Sequence, residues 1–291
     1  MTGTILVAGG TGFTGGYTVP LLAGRGYRLR CLVRRDSGAR SLEGPRVETV
    51  RGDLDAPASL AAAFDGVSSL ISLVGLHTGQ AAPLVTAAVA AGVRRAVFVS
   101  STSIFTRPET ATKTFLLEAE GRIRDSGLDY TIIRPTMVYG ADRDRNISRL
   151  IRYLARWPVL FIPGSGRFLV QPIFVEDVAR AVVDAFSATE ASGRCYNIAG
   201  RAPLTFNDLV DTILTILNRR RLKVHLPVGS LIAACRWIEG RGGSFFVRSD
   251  QIERLNEDKS FCYDEAARDF CFSPVSFETG VRRQIKAMGL I

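Results

Sequence analysis

No stretch of about 18 uninterrupted apolar residues occurs in this sequence, so a membrane-crossing helix is not expected. The first strand is expected to begin at residue 4, which leaves no length for a signal or transit peptide ahead of it, and a cytoplasmic setting is the expectation. Cysteine is scarce and scattered: Cys31, Cys195, Cys235, Cys262 and Cys271 are odd in number and never spaced as metal-binding pairs, which argues for reduced thiols. Only His77 and His225 offer imidazole, neither beside a cysteine or carboxylate cluster, so no metal site is expected. Lysine is nearly missing as well. With Lys113, Lys223, Lys259 and Lys286 the only lysines, the net charge of +9 comes almost wholly from arginine. These arginines are spread along the chain instead of being clustered with aromatics, which speaks against nucleic acid and for an anionic small-molecule partner or general solubility. The one run, Arg219-Arg220-Arg221, reads as the close of a helix, where cations are favoured.

What is present is a large hydrophobic fraction, 46% of 291 residues, enough for a sizeable core. Ile5 to Ala8 forms a short apolar run that breaks into Gly9, Gly12 and Gly15, after which Tyr17 to Ala23 reads as a helix. Strand, glycine turn and helix in that order suit a dinucleotide: one glycine turns the chain sharply, the next admits a pyrophosphate, and the third lets helix pack on strand. The amides around Phe13 and Thr14, at the helix start, would hold the phosphates. Arg28 to Val33 reads as a second strand and ends in Arg34-Arg35. At that place an acidic residue grips a ribose 2′-hydroxyl and an arginine accepts a 2′-phosphate, so NADP is expected ahead of NAD, with Asp36 the residue that would serve NAD.

Further strands follow at Val47 to Val50, Ser69 to Val74, Arg94 to Ser100 and Tyr130 to Arg134, with helices at Ala58 to Phe64, Gln80 to Ala91 and Ala111 to Asp125. This alternation specifies an α/β fold of Rossmann type, a doubly wound parallel sheet with ligands at the carboxyl ends of its strands. Residues expected to border the cofactor there are Asp53 and Leu54, Val74 and Gly75, Ser100 and Pro135. For Asp53, facing the adenine, helix capping is the rival reading. The hydroxyls of Ser100-Ser101-Thr102-Ser103 stand at the same edge, with helix or turn capping the alternative.

The segments Gly9-x-x-Gly12-x-x-Gly15, Gly52-Asp53, Phe98-Val-Ser-Ser101, Ser126-Gly-Leu-Asp-Tyr-Thr-Ile-Ile-Arg-Pro135, Val138-Tyr-Gly140, Phe174-Val-Glu-Asp-Val-Ala179 and Tyr196-Asn-Ile-Ala-Gly200 resemble the extended and atypical short-chain dehydrogenase/reductases. The resemblance covers nearly the whole chain. It implies an NAD(P)-binding core over residues 1–140, rejoined by 171–200, and a smaller C-terminal α/β lobe from 141–170 and 201–291. It also implies an oxidoreductase or epimerase-like activity on a nucleotide-sugar or similar anionic carbonyl or hydroxyl substrate. The superfamily's catalytic tyrosine and lysine, four residues apart, would fall on Thr112 and Leu116, so that pair is missing here. Threonine cannot ionise near neutral pH, and loss of a general acid or base typically costs roughly 10²–10⁴-fold in rate. Tyr139, Lys113, Ser101 and Thr102 are the candidate replacements, each with a structural rival reading. A second function therefore stands beside the first: an NADP(H)-binding protein that senses redox state or supports a complex without catalysis.

Beyond residue 140, helices are expected at Asn146 to Arg156, Glu176 to Ser187, from Thr205 onward, at Ser230 to Trp237 (a packed helix or an amphipathic membrane-surface one), Ala266 to Phe270 and Phe277 to Met288. Strands are expected at Phe168 to Phe174 and Cys195 to Ala199. Arg143, Arg145 and Gln171 are the candidate substrate contacts, since arginine suits a diphosphate and Gln171 falls where it can face the cleft. A monomer or homodimer is expected.

Overall fold

The computed structural model describes residues 3–34, 42, 44–76, 79–140, 144, 146–229 and 257–291. The core is a parallel sheet built from β1 (Thr4–Ala8), β2 (Arg28–Val33), β3 (Val47–Arg51), β4 (Val67–Ser72), β5 (Arg95–Val99) and β6 (Asp129–Pro135). Four short strands follow in the chain: β7 (Val138–Tyr139), β8 (Val159–Pro163), β9 (Leu169–Val170) and β10 (Ile173–Phe174). The next, β11 (Arg194–Ile198), returns to the main sheet and completes the order β3-β2-β1-β4-β5-β6-β11. Every adjacent pair in it is parallel. A parallel sheet must be covered on both faces, and the central strand shows this: Ile5 and Val7 join one buried cluster, Leu6 and Ala8 the other. Helices α1 (Gly15–Gly24) and α6 (Val175–Ser187) cover the first face through Val19, Leu22, Val178, Val182 and Phe186. On the opposite face lie α2 (Ala61–Phe64), α3 (Ala81–Ala90) and α4 (Ala111–Arg124), which contribute Ala63, Leu84, Ala88, Leu116 and Ile123.

A third cluster belongs to the C-terminal part. It joins Ile151 and Leu154 of α5 (Ile147–Arg156), Leu209 and Ile213 of α7 (Phe206–Ile216), and Val281 and Ile285 of α9 (Phe277–Ala287) around Leu160 and Ile162 of β8. Thr205 opens α7 with a full capping box, its hydroxyl accepting the Asp208 amide at 3.0 Å. β12 (Leu204–Thr205) immediately precedes α7 and pairs with β9, and between α7 and α9 come β13 (Leu222–Leu226), parallel to β8, and α8 (Asp264–Phe270).

Three expectations need correction. The single strand expected over 168–174 is two, β9 and β10, because Pro172 has no amide to offer a ladder. The fourth strand ends at Ser72, two residues early, although the Leu73 amide still donates to the Ala8 carbonyl at 2.8 Å. The arginine run does not close α7, which stops at Ile216. Instead the Arg221 guanidinium donates to the Leu154 and Ala155 carbonyls at 2.7 and 3.0 Å, satisfying the C-terminus of the neighbouring α5. The helix expected over Ser230 to Trp237 lies outside the described residues.

Candidate functional site

The carboxyl ends of β1, β2, β4, β5 and β6 share one edge of the sheet, and the glycine turn lies in its middle. Gly9 has φ +83°, open to glycine at no steric cost, and a side chain there would meet the Leu73 carbonyl carbon at 3.0 Å and the Val74 amide nitrogen at 3.1 Å. The Gly12 amide closes the turn on the Gly9 carbonyl at 3.0 Å. A Cβ on Gly15 would lie 2.4 Å from both the Gly9 and Gly10 carbonyl oxygens, so only glycine lets α1 start this close to the strand. Among the described residues, the amides of Phe13, Thr14 and Gly15 have no hydrogen-bond acceptor. Unsatisfied donors at the positive end of a helix form a seat for an anion, which a phosphate fits.

The residues expected to border a cofactor lie at or after the ends of β2, β3, β4, β5 and β6. Arg34 is exposed at the end of β2, and Arg35 lies outside the described residues. Beside β2 the Gly52 amide donates to the Val33 carbonyl at 3.2 Å. Asp53 donates its amide to the Ser59 hydroxyl at 2.8 Å, and its carboxylate accepts the Asp55 amide at 3.1 Å, a loop bond that occupies one of its oxygens; the helical turn that follows begins after Ala56 without a side-chain cap, so Asp53 is not the helix cap of the rival reading. Leu54 is buried beneath it, and Val74 and Gly75 are half-buried past the end of β4. Ser100 is buried: its amide donates to the Ile133 carbonyl and its hydroxyl to Glu120, both at 2.7 Å. Pro135 ends β6, and its carbonyl accepts the Thr102 hydroxyl at 3.3 Å.

The candidate proton donors fare differently. Tyr139 is corrected outright. It is 1% exposed, its ring packs against Phe174 and Phe277, and its hydroxyl donates to the Phe277 carbonyl at 3.3 Å. Burial, and then the negative charge of Asp177, push its ionisation above the ordinary tyrosine range, the opposite of what an acid–base catalyst needs. Gln171 is also corrected. Its amide nitrogen donates to the Gly200 carbonyl at 2.7 Å and its oxygen accepts the Phe261 amide at 2.8 Å, so both ends clip backbone segments together. Lys113 pairs with Glu109 one turn back at 2.7 Å. Thr102 is buried on the Pro135 carbonyl, and Ser101 caps the short 3₁₀ turn Thr102–Phe105 by accepting the Ser103 amide at 3.1 Å. Thr112 is half-buried in the first turn of α4 and Leu116 is packed in the core. Arg143 and Arg145 lie outside the described residues.

Further side-chain contacts order this edge. The Ser101 hydroxyl donates to that of Ser103 at 3.0 Å, and among the described residues the Ser103 hydroxyl has no acceptor of its own. Glu120 is fully buried and accepts from Ser100, from Arg124 at 2.9 Å and from both Nε and Nη2 along one edge of the Arg134 guanidinium. This fixes Arg134 with its guanidinium 5.4 Å from the Phe105 ring centre, at the rim. Glu257 reaches the same rim from the C-terminal segment, accepting the Thr106 hydroxyl at 2.7 Å and the Arg107 amide at 2.9 Å, while Phe261 lies against Phe105. The one sequence signal for this group is Arg134-Pro135, an arginine at the close of a buried strand.

A family model described as NAD(P)H-binding matches residues 9–189, well over half of the chain. The chain belongs to the NAD(P)H-binding short-chain dehydrogenase/reductases. Among members of this superfamily it is similar to an NAD(P)H azoreductase of Xenophilus azovorans, 30% identical over 221 residues, 74% of each protein. It is similar also to a ceramide reductase of Caulobacter vibrioides, 32% identical over 247 residues, 80% of this chain and 76% of that one. A solved UDP-glucose 4-epimerase of Thermotoga maritima with UDP-glucose superposes with a TM-score of 0.77 over 98% of both chains at 18% identity, a likeness of fold. Membership of the superfamily gives the Rossmann edge a nicotinamide cofactor, and the acceptor-free amides at 13–15 are the feature of this chain that suits its pyrophosphate.

Proposed function

We propose that this protein is an NADP(H)-dependent oxidoreductase whose phosphate seat is the start of α1 and whose 2′-phosphate contact is Arg34 with Arg35. The observation that carries the reading is the set of three amides, on Phe13, Thr14 and Gly15, held without an acceptor by a turn that tolerates no side chain at Gly9 or Gly15. When bound, the nicotinamide supplies a hydride. The chain's own part is to orient the cofactor through these amides, with Leu54, Val74 and Gly75 leaving room for its flat groups. At the carboxyl end of β5, Ser101 and Ser103 are the residues placed to hydrogen-bond a substrate oxygen, because Ser103 retains a proton to donate. A carbonyl or hydroxyl compound bearing negative charge, such as a nucleotide-sugar, is the proposed substrate class. The arginine-rich sequence from 143 to 149 supports it, and the solved epimerase relative holds UDP-glucose.

The alternative is an NADP(H)-binding protein without turnover, and one observation favours it. Tyr139, Lys113 and Thr102 are each engaged within the protein, so no group of this set stands ready to give or take a proton. Two measurements test the proposal. Replacing both arginines, Arg34→Ala with Arg35→Ala, should raise the NADPH dissociation constant by roughly tenfold to 100-fold, the loss of charge-assisted bonds to one phosphate, and leave NADH unchanged. Equal loss for both cofactors would refute the 2′-phosphate assignment. Oxidation of NADPH in a panel of UDP- and dTDP-sugars and small carbonyl compounds would establish catalysis, whereas tight binding with no turnover across the panel would favour the alternative.

A further inference from the structure

A third arginine stands beside the two that follow β2. In the parallel register of β2 and β3, Leu32 lies beside Val50 and Val33 beside Arg51, and the Gly52 amide holds the strand ends together by donating to the Val33 carbonyl at 3.2 Å. Neighbouring strands run about 4.8 Å apart, so Arg51 starts one strand spacing from the residue that precedes Arg34, a gap that its long side chain spans. Alternation settles the side on which it stands. Val47 packs with the first buried cluster, on the face that α1 covers, and Val50 with the second, which sends Arg51 to the α1 face. The helix whose first amides form the phosphate seat lies on that same face.

Arg51 is exposed, and among the described residues its side chain makes no hydrogen bond, ion pair or ring contact. Arg30 and Arg46, by contrast, are tied down, to Glu48 at 2.5 Å and to the Gly26 carbonyl at 3.1 Å. The carboxylates nearest to Arg51 in the chain are engaged elsewhere: Glu48 pairs with Arg30 on the opposite face, and Asp53 accepts the Asp55 amide. A phosphate monoester carries about two negative charges at neutral pH and three terminal oxygens, more than one guanidinium satisfies, and an arginine on the neighbouring strand meets it from a second direction. We infer that Arg51 is a specificity-determining contact for the ribose 2′-phosphate, closing on it from β3 beside Arg34. The inference rests on the assignment of the end of β2 to the adenosine ribose. It separates the two cofactors, because NAD presents a neutral hydroxyl where NADP presents the phosphate, and the guanidinium has charge-assisted bonds to make only with the second.

The test is calorimetric titration of the full chain with adenosine 2′,5′-bisphosphate and adenosine 5′-monophosphate, which differ only in the phosphate in question, and with NADPH and NADH. Arg51→Gln should weaken the bisphosphate and NADPH roughly tenfold, the lower end of what one charge-assisted bond is worth, as suits an exposed site. The monophosphate and NADH should be unchanged. Arg51→Lys keeps the charge and loses the planar fork, and its affinity for the two 2′-phosphate ligands should fall between wild type and Arg51→Gln. Arg28→Gln is the charge-matched control: Arg28 is exposed at the opposite, amino end of β2, and its loss should leave all four ligands unchanged. Circular dichroism checks that each variant is folded. A wild type that binds the bisphosphate no tighter than the monophosphate would overturn the assignment of the end of β2 itself, and this inference with it. Where the wild type does prefer the 2′-phosphate, wild-type affinity in Arg51→Gln overturns the inference and leaves Arg34 and Arg35 in place. An equal loss of NADPH and NADH in Arg51→Gln, or a matching loss of NADPH in Arg28→Gln, overturns it too, since either would report the general charge of the surface instead of a contact.

Discussion

Replacing Gly15 by alanine tests how the turn and helix are joined. The new Cβ would lie 2.4 Å from two carbonyl oxygens and 2.6 Å from the Gly10 carbonyl carbon, against the 3.4 Å at which ordinary contact begins, so α1 must withdraw by about 1 Å. The oxygens belong to backbone and cannot swing aside. Such overpacking costs ~1–3 kcal/mol, offset by up to ~1 kcal/mol because alanine is the better helix former, which leaves a destabilisation of about 0–3 kcal/mol. The withdrawal also carries the amides of residues 13–15 away from a bound phosphate. Losing one charge-assisted bond is worth about 1.5–3 kcal/mol, so the NADPH dissociation constant should rise roughly tenfold to 100-fold. Gly16→Ala is the matched control: nothing lies within 4 Å of its Cβ, and it should stabilise by up to ~1 kcal/mol with binding unchanged. Urea melts and calorimetric titration of both variants decide the matter. Wild-type affinity in Gly15→Ala, or an equal loss in Gly16→Ala, would refute the steric reasoning.

Other outcomes follow from the same geometry. Tyr139→Phe should lose only the bond to the Phe277 carbonyl, about 0.5–1.5 kcal/mol by urea denaturation, and keep any turnover found for the wild type; a rate loss of roughly 100-fold or more would restore Tyr139 as an acid–base group. Glu120→Gln should destabilise by about 3 kcal/mol, because Arg134, with a side chain only 11% exposed, keeps its charge and loses its partner; a melt within experimental error of wild type would contradict the role given to Glu120. Asp269 accepts the Tyr196 hydroxyl at 2.7 Å and pairs with Arg268 and Arg194, and these partners, the tyrosine bond foremost, hold its carboxyl below the usual range. A depressed folded-state value stabilises above the unfolded value of about 3.9 and is lost as pH falls through the folded one. Asp269→Asn should therefore melt earlier than wild type at neutral pH, with the two converging in strong acid; a gap that persists unchanged in acid would exclude the ionised pairing as its cause.

The doubly wound sheet was legible because its signals are local and periodic: apolar runs of five or six residues, each broken by glycine or a capping residue and followed by a helix. The glycine turn was legible for the same reason, since its spacing reports a backbone shape that the Gly9 dihedral and the crowding at Gly15 display. What escaped are pairings between distant segments. The β8–β13 pair joins residues more than sixty apart, and neither strand carries a strong pattern of its own. Tyr139 was misplaced because it follows β6 at the carboxyl edge, and only the fold reveals that α9 covers it with Phe277. Gln171 and Glu257 share this character: each joins segments 29 to 151 residues apart, a relation that no spacing in the sequence encodes.

The most direct measurement is calorimetric titration of the wild-type protein with NADPH and with NADH. The acceptor-free amides at the start of α1 and the arginines after β2 predict saturable binding of one NADPH per chain, tighter than NADH. Absence of binding by either would contradict the assignment of the Gly9–Gly15 turn, and a preference for NADH would contradict that of Arg34 and Arg35.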